Sequence, residues 1–248
     1  MRRRFFVDQV RNGQAEIAGE EAQHLARVLR VEPGQRYEIS DHRDVYLAEI
    51  ETARKSRVVF RTIEKLAPPP PQATIVLLAA LIKFDHLEWM IEKATELGVD
   101  TILPFPAARS ERGLEIAARK RIERWRRIAL EASQQSRRAF LPTVELVAGL
   151  EDAVATAADH RCLLDEDPGA EPLAASLPAA RRTSDRIAIV AGPEGGWTDA
   201  ERDRFAAAGW TRVSLGPRIL RAETAALAAL AIVRSAWDAG DPPARLKD

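Results

Sequence analysis

The chain has 248 residues, 46% hydrophobic and 30% charged, enough for one large domain or two smaller ones with real cores. Lysine plus arginine equals aspartate plus glutamate at 37 each, which excludes the global positive field of a strong nucleic-acid binder and leaves only local patches. No apolar run approaches the ~20 residues of a membrane-spanning helix, and MRRRFFVDQVRN turns polar too soon for a signal-peptide core, so the chain reads as intracellular.

From Arg3 to Leu66 the sequence predicts short strands, FFVD, AEIAG, YEIS, VYLAEIE and RVVFRTIE, with one helical piece, EEAQHLARVLRV. Turn residues such as Asn12-Gly13, Pro33-Gly34 and Asp41 to Asp44 separate them, as in a small barrel or sandwich. The four prolines from Pro68 to Pro71 can continue neither a ladder nor a helix, and they divide the chain into domains 1–68 and 73–248.

Beyond Gln72 strands and helices alternate. Strand ATIVLLAALI leads to helix DHLEWMIEKATELG, strand TILPF and a long charged helix from about Leu114 to Gln135. Then follow TVELV, a short helix, HRCLLDE, RIAIVAG, a helix from Thr198, TRVSLG and a last helix to about Ala239. Alternating apolar strands and helices imply an α/β domain, a parallel sheet with helices on both faces. Asp85 with Glu88, and Thr198 with Glu201, have capping-box spacing.

The lone cysteine, Cys162, cannot form an internal disulfide and reads as a buried strand residue. His24, His42, His86 and His160 lack metal-ligand spacing, so no metal is expected. Arg2 to Arg4, RKRIERWRR from Arg119 to Arg127, and Arg137 with Arg138 are the local basic patches; they are either RNA contacts or solvated arginine-rich faces.

Two loops carry the chemistry. Gly192-Pro193-Glu194-Gly195-Gly196-Trp197-Thr198 follows an apolar strand and precedes a capped helix, where glycines let backbone approach a ligand. Leu215-Gly216-Pro217-Arg218-Ile219-Leu220-Arg221-Ala222-Glu223 stands in the same position before the last helix. Neither has a dinucleotide fingerprint or a phosphate-loop lysine. Two such loops at neighbouring late strands suit a nucleoside without phosphates, although each is also readable as a tight turn or a helix cap.

GPEGGWTDAE followed by LGPRILRAETAALAAL resembles the paired signature of the SPOUT-class methyltransferases. HLARVLRVEPG, KFDHLEWMIEKATELGVDTILPF, ARSER, RWRRIALEASQQSRR and LPTVEL make the chain most similar to the branch that methylates N3 of a uridine in bacterial 16S ribosomal RNA. Arg137 departs from the small residue expected after Gln135-Ser136.

The resemblance implies a PUA-like β-barrel before an α/β domain with a trefoil knot, a cytoplasmic homodimer, and S-adenosylmethionine as cofactor. Carried over by position, the cofactor would lie among Leu164, Gly192, Gly196, Leu215, Gly216, Ile219 and Leu220. Arg221 would bind a substrate phosphate or uracil oxygen, and Glu223 or Glu194 would accept the N3 proton. Glu223 is equally readable as a helix-start carboxylate. Arg109, Arg119, Arg124, Arg127 and Arg138 would contact 16S rRNA or the small subunit, with Trp125 buried rather than stacked on a base. A ribose 2′-O-methyltransferase and a non-catalytic RNA-binding or ribosome-assembly factor remain as alternatives.

Overall fold

A computed structural model describes residues 3–67, 72–167, 169–178 and 182–238. Arg2, the run Pro68 to Pro71 and the helix end near Ala239 lie outside the described residues. The chain divides into two compact units, Met1–Pro70 with Ser133–Leu141, and Pro71–Ala132 with Pro142–Asp248. A contiguous split at 68 and 73 therefore leaves out segment 133–141. Hydrogen bonds explain its membership of the first unit: Gln134 Nε2 donates to Glu21 at 2.8 Å and Ser40 Oγ donates to the Ala139 carbonyl at 2.7 Å.

The first unit contains β1 (Arg4–Phe6), β2 (Gln14–Ala18), α1 (Gly19–Arg27), β3 (Arg36–Ser40), β4 (Val45–Arg54) and β5 (Arg57–Lys65). Its sheet runs β1-β3-β4-β5-β2, with β1 and β3 parallel and the other pairs antiparallel. Because β1 and β2 are edges that do not pair with each other, the expected barrel is a half-barrel. The Asn12-Gly13 turn has φ of 49° and 77° and is closed by reciprocal Arg11–Gln14 backbone bonds, the left-handed pair a two-residue hairpin needs. Period-2 burial along β2 turns Ala15 and Ile17 inward, onto Leu25 of α1, Phe5 and Phe60.

Arg137 adopts the left-handed conformation, φ 57°, where a small residue had been expected. Its guanidinium pairs with Glu38, its carbonyl accepts from Arg4 Nη1 at 2.7 Å, and Arg4 Nε also donates to Glu38 at 3.0 Å. The positive φ is thus held by a three-residue charge cluster. Burial would raise the Glu38 carboxyl, but the two guanidiniums outweigh it and hold it below the ordinary glutamate value.

The second unit begins with β6 (Thr74–Ala80), α2 (Phe84–Glu96), β7 (Thr101–Phe105), α3 (Leu114–Arg119), α4 (Ile122–Ser136, whose last turn falls in the first unit) and β8 (Thr143–Val144). It continues through α5 (Leu150–Val154), β9 (His160–Leu164), β10 (Glu171–Pro172), α6 (Leu173–Ser176), β11 (Arg186–Ala191), α7 (Asp199–Ala207), β12 (Thr211–Ser214) and α8 (Ala222–Asp238). All pairings are parallel, in the order β10-β12-β9-β11-β6-β7-β8. Alternation sorts β6 between two cores: Ile75, Leu77 and Ala79 face α2 and α8, while Val76, Leu78 and Ala80 face Trp197, Phe205 and Trp210. With both faces covered, β6 reads as a continuous apolar run.

Three details depart from expectation. The helix expected from Leu114 to Gln135 breaks after Arg119, where Lys120 and Arg121 N–H bond back three residues to Ala117 and Ala118 before α4 begins. The capping box at Asp85 and Glu88 is absent: α2 starts from Lys83 without a side-chain cap, because Glu88 instead accepts from Arg124 and Arg121. Finally, the strands leading into the two signature loops are not neighbours, since β9 lies between β11 and β12. The Thr198–Glu201 capping box is present on α7. Trp125 and Cys162 are buried, and burial pushes the Cys162 thiol up to about 11, which keeps it unreactive. Among the described residues, no helix is long and apolar enough to cross a membrane, and no cluster of acidic, histidine and cysteine side chains could hold a metal.

Candidate active site

Adjacent strands β12, β9 and β11 all end at one cavity of about 290 Å³, near the small end of ligand-pocket size. Ligands of open parallel sheets bind at this carboxyl edge. Leu164 of β9 and Gly192 and Gly196 after β11 line it, as do Leu215, Gly216, Ile219 and Leu220 after β12. The structure brings all seven of these sequence-nominated residues together. The loop after β9 also contributes Asp165 and Glu166, which the sequence reading did not single out.

The loop after β11 is built around Trp197. Its indole is 2% exposed, donates from Nε1 to the Leu164 carbonyl at 2.8 Å and lies near-parallel to Phe105. Gly192 is required by this packing, because a Cβ there would stand 2.9 Å from Trp197 Cε2. Arg202 of α7 fixes the same loop from below: its Nε donates to Asp165 at 2.8 Å and its Nη1 to the Trp197 carbonyl at 2.9 Å. Burial alone would raise the Asp165 carboxyl, but Arg202 and the Asp167 N–H hold it below the ordinary aspartate value. A buried, ionised aspartate thus ties the end of β9 to the loop after β11.

Arg109 and Ala108 clasp that loop from the side. Arg109 Nη1 donates to the Gly195 carbonyl at 2.8 Å, and the Ala108 N–H donates to Glu201 at 2.8 Å. Arg109 therefore reaches the signature loop of its own chain.

The loop after β12 has a different character. Gly216 has φ 100°, and a Cβ there would meet nothing within 4 Å, so the backbone is bare toward open space. Ile219 is 86% exposed at the rim. Arg218 and Arg221 also line the cavity, and neither guanidinium has a hydrogen bond or ion pair among the described residues. Glu194, exposed on the opposite loop, is likewise free of such partners.

Glu223 does not line the cavity. It is buried in the first turn of α8, and its Oε1 lies 2.8 Å from His86 Nδ1 of α2. The hydrogen bond that His86 donates to Glu223 raises the His86 pKa above the ordinary value, against the opposing effects of burial and Arg221. His86 lies in a segment the sequence comparison marked, but nothing local paired it with Glu223, because only the tertiary contact of α2 with α8 brings the two together.

The four other nominated RNA-contact arginines do not line the cavity. Arg119 is exposed without an ion-pair partner among the described residues. Arg124 grips Glu88 through Nε and Nη2 at 2.8 Å each, which holds the Glu88 carboxyl below its ordinary value, and Arg127 faces Glu131. Arg138 donates to the Phe140 carbonyl at 3.2 Å.

Residues 68–234 match the RNA methyltransferase domain family, and residues 17–63 match the RNA methyltransferase PUA domain family. The chain is 35% identical over 230 residues to the ribosomal RNA small subunit methyltransferase E of Bacillus subtilis, covering 88% of each chain. It is 32% identical over 249 residues to the protein of that name from Mycobacterium tuberculosis, covering 95% of this chain and 93% of the relative. A crystal structure of ribosomal RNA small subunit methyltransferase E from Neisseria gonorrhoeae, bound to S-adenosyl methionine, superposes with a TM-score of 0.83 at 27% identity. That match covers 96% of this chain and 98% of the other.

Proposed function

Because the chain belongs to the ribosomal RNA small subunit methyltransferase E family, we propose that it transfers a methyl group from S-adenosylmethionine to N3 of a uridine in 16S ribosomal RNA. The observation that carries the reading is the cavity at the ends of β9, β11 and β12: apolar walls at Leu164, Leu215 and Leu220, bare backbone at Gly216, and two unpaired arginines. That combination fits an adenosine with a short charged tail and lacks a phosphate cradle.

When bound, S-adenosylmethionine supplies an electrophilic methyl group. The chain must do the rest, since a neutral uracil imide is a poor nucleophile at N3. The free Arg221 guanidinium stabilises the developing charge on a uracil oxygen or holds the neighbouring phosphate. Glu194, lining the cavity with an unengaged carboxylate, accepts the N3 proton; Glu223, with its Oε1 taken by His86, serves that role less well. Arg109, Arg119, Arg124, Arg127 and Arg138 guide the RNA, Arg124 in competition with Glu88.

A cytoplasmic homodimer and the trefoil knot belong to the same reading. Ile219, 86% exposed at the cavity rim, and Trp89, 47% exposed on α2, are large apolar groups that a second copy would cover. The test is mass-spectrometric mapping of 16S RNA from the source strain deleted for this gene. Loss of one N3-methyluridine, restored by the intact gene and not by Arg221→Ala, supports the proposal. Loss of a 2′-O-methyl nucleoside would move the chain to the ribose-methylating branch, and an unchanged modification set would favour a non-catalytic assembly factor.

A further inference from the structure

The contact between His86 and Glu223 lies outside the cavity, two residues along the chain from the cavity-lining Arg221. His86 stands in the first turn of α2 and Glu223 in the first turn of α8, helices that pack on each other over one face of the sheet. The Glu223 side chain is only 8% exposed, and the 2.8 Å bond to His86 Nδ1 is the one its carboxylate makes among the described residues. A buried carboxylate with a single partner depends on that partner for its orientation. Ala222 lines the cavity on one side of Glu223, and Arg221 precedes it. The Arg221 carbonyl also accepts the Ala225 N–H at 2.8 Å, so it starts the same helical turn.

We propose that His86 is a positioning residue for methyl transfer, holding Arg221 at the cavity by clamping Glu223 across the α2–α8 contact. The inference rests on the reading of the cavity as a methyl-transfer site. His86 does not line the cavity and works only through Glu223.

The charged groups facing the imidazole are Glu223 on α8, Asp85 beside it on α2 with Oδ2 3.7 Å from Nε2, and Arg221 ahead of α8. Glu223 and Asp85 favour the imidazolium, whereas Arg221 opposes it. While His86 is protonated the clamp is a charge-assisted hydrogen bond, stronger than its neutral counterpart. Its charge is present below the ordinary histidine range and disappears as pH rises through the raised value of His86. The neutral imidazole can still donate through Nδ1, but it holds Glu223, and through it Arg221, less firmly.

The test compares kcat/KM for methyl transfer to small ribosomal subunits between wild type, His86→Asn, His86→Arg and Glu223→Gln from pH 6 to 9. Taking ratios to wild type cancels the titration of the uracil itself. Asparagine keeps a donor near the Nδ1 position without the charge, so His86→Asn should fall about tenfold below wild type at pH 6 and approach it by pH 9. His86→Arg keeps a permanent cation and should gain on wild type as pH rises. Glu223→Gln should be impaired at the acid end and converge like His86→Asn, with thermal midpoints confirming that each variant is folded. A His86→Asn ratio that is one, or constant across pH, overturns the clamp. A wild type that binds S-adenosylmethionine in a calorimeter but methylates no ribosomal RNA overturns the underlying reading, and this inference with it.

Discussion

Replacing Gly192 by alanine tests how the cavity is built. The position lacks a positive φ, so the backbone accepts alanine and the entire cost is steric. The new methyl would lie 2.9 Å from Trp197 Cε2 and 3.1 Å from Nε1. The indole cannot swing away freely, because Leu164 holds its N–H at 2.8 Å and Phe205 meets it edge-on with centroids 5.4 Å apart. Overpacking of this kind costs ~1–3 kcal/mol, and losing the indole hydrogen bond adds ~0.5–1.5 kcal/mol. At ~2–4 °C per kcal/mol for a domain of this size, the thermal midpoint should fall by about 3–18 °C. The same displacement moves the loop that carries Gly196, so calorimetric affinity for S-adenosylmethionine should fall at least about tenfold, the equivalent of ~1.4 kcal/mol. Adding Trp197→Phe, which removes the atoms in conflict, should recover part of the loss. If Gly192→Ala kept both the wild-type midpoint and the wild-type affinity, the packing account of this loop would be refuted.

Arg202→Ala leaves the buried Asp165 carboxylate unpaired and frees the Trp197 carbonyl, and should cost ~3–5 kcal/mol by chemical denaturation; a loss under ~1 kcal/mol contradicts the assigned role. In the first unit, Glu38 is depressed below its ordinary value, so its stabilising contribution is full above that value and is lost as pH falls through the folded one. The melting-temperature gap between wild type and Glu38→Gln should therefore be constant above about pH 5 and close progressively below ~4.3; a gap independent of pH down to ~3 would show that the pair carries no charge-dependent stability. If all five nominated arginines hold single-stranded RNA phosphates, affinity for the substrate RNA should drop about a hundredfold between roughly 50 and 200 mM salt. A salt-independent affinity removes those contacts.

The elements legible in the sequence were those with a local signal. Period-2 burial in Gln14–Ala18, the left-handed Asn12-Gly13 pair and the Thr198–Glu201 box all follow from neighbours within a few residues. The cavity was legible because glycine-rich loops at the ends of apolar strands are local too, and the signature motifs fall there. What the sequence hid was long-range pairing. Glu88 has the spacing of a cap but is drawn to Arg121 and Arg124, more than 30 residues away. His86 finds Glu223 at a separation of 137 residues, and Asp165 finds Arg202 at 37. Segment 133–141 joins the first unit through Glu21, Glu38 and Ser40, contacts that no composition shift announces.

The central claim is methyl transfer to uracil N3 at the cavity formed by β9, β11 and β12. It is tested most directly by incubating the purified chain with tritiated S-adenosylmethionine and small ribosomal subunits from a strain lacking this gene, then separating the nucleosides. Tritium co-eluting with N3-methyluridine, abolished by Arg221→Ala, is the predicted result. Tritium in any other nucleoside, or none in RNA despite bound cofactor, would contradict it.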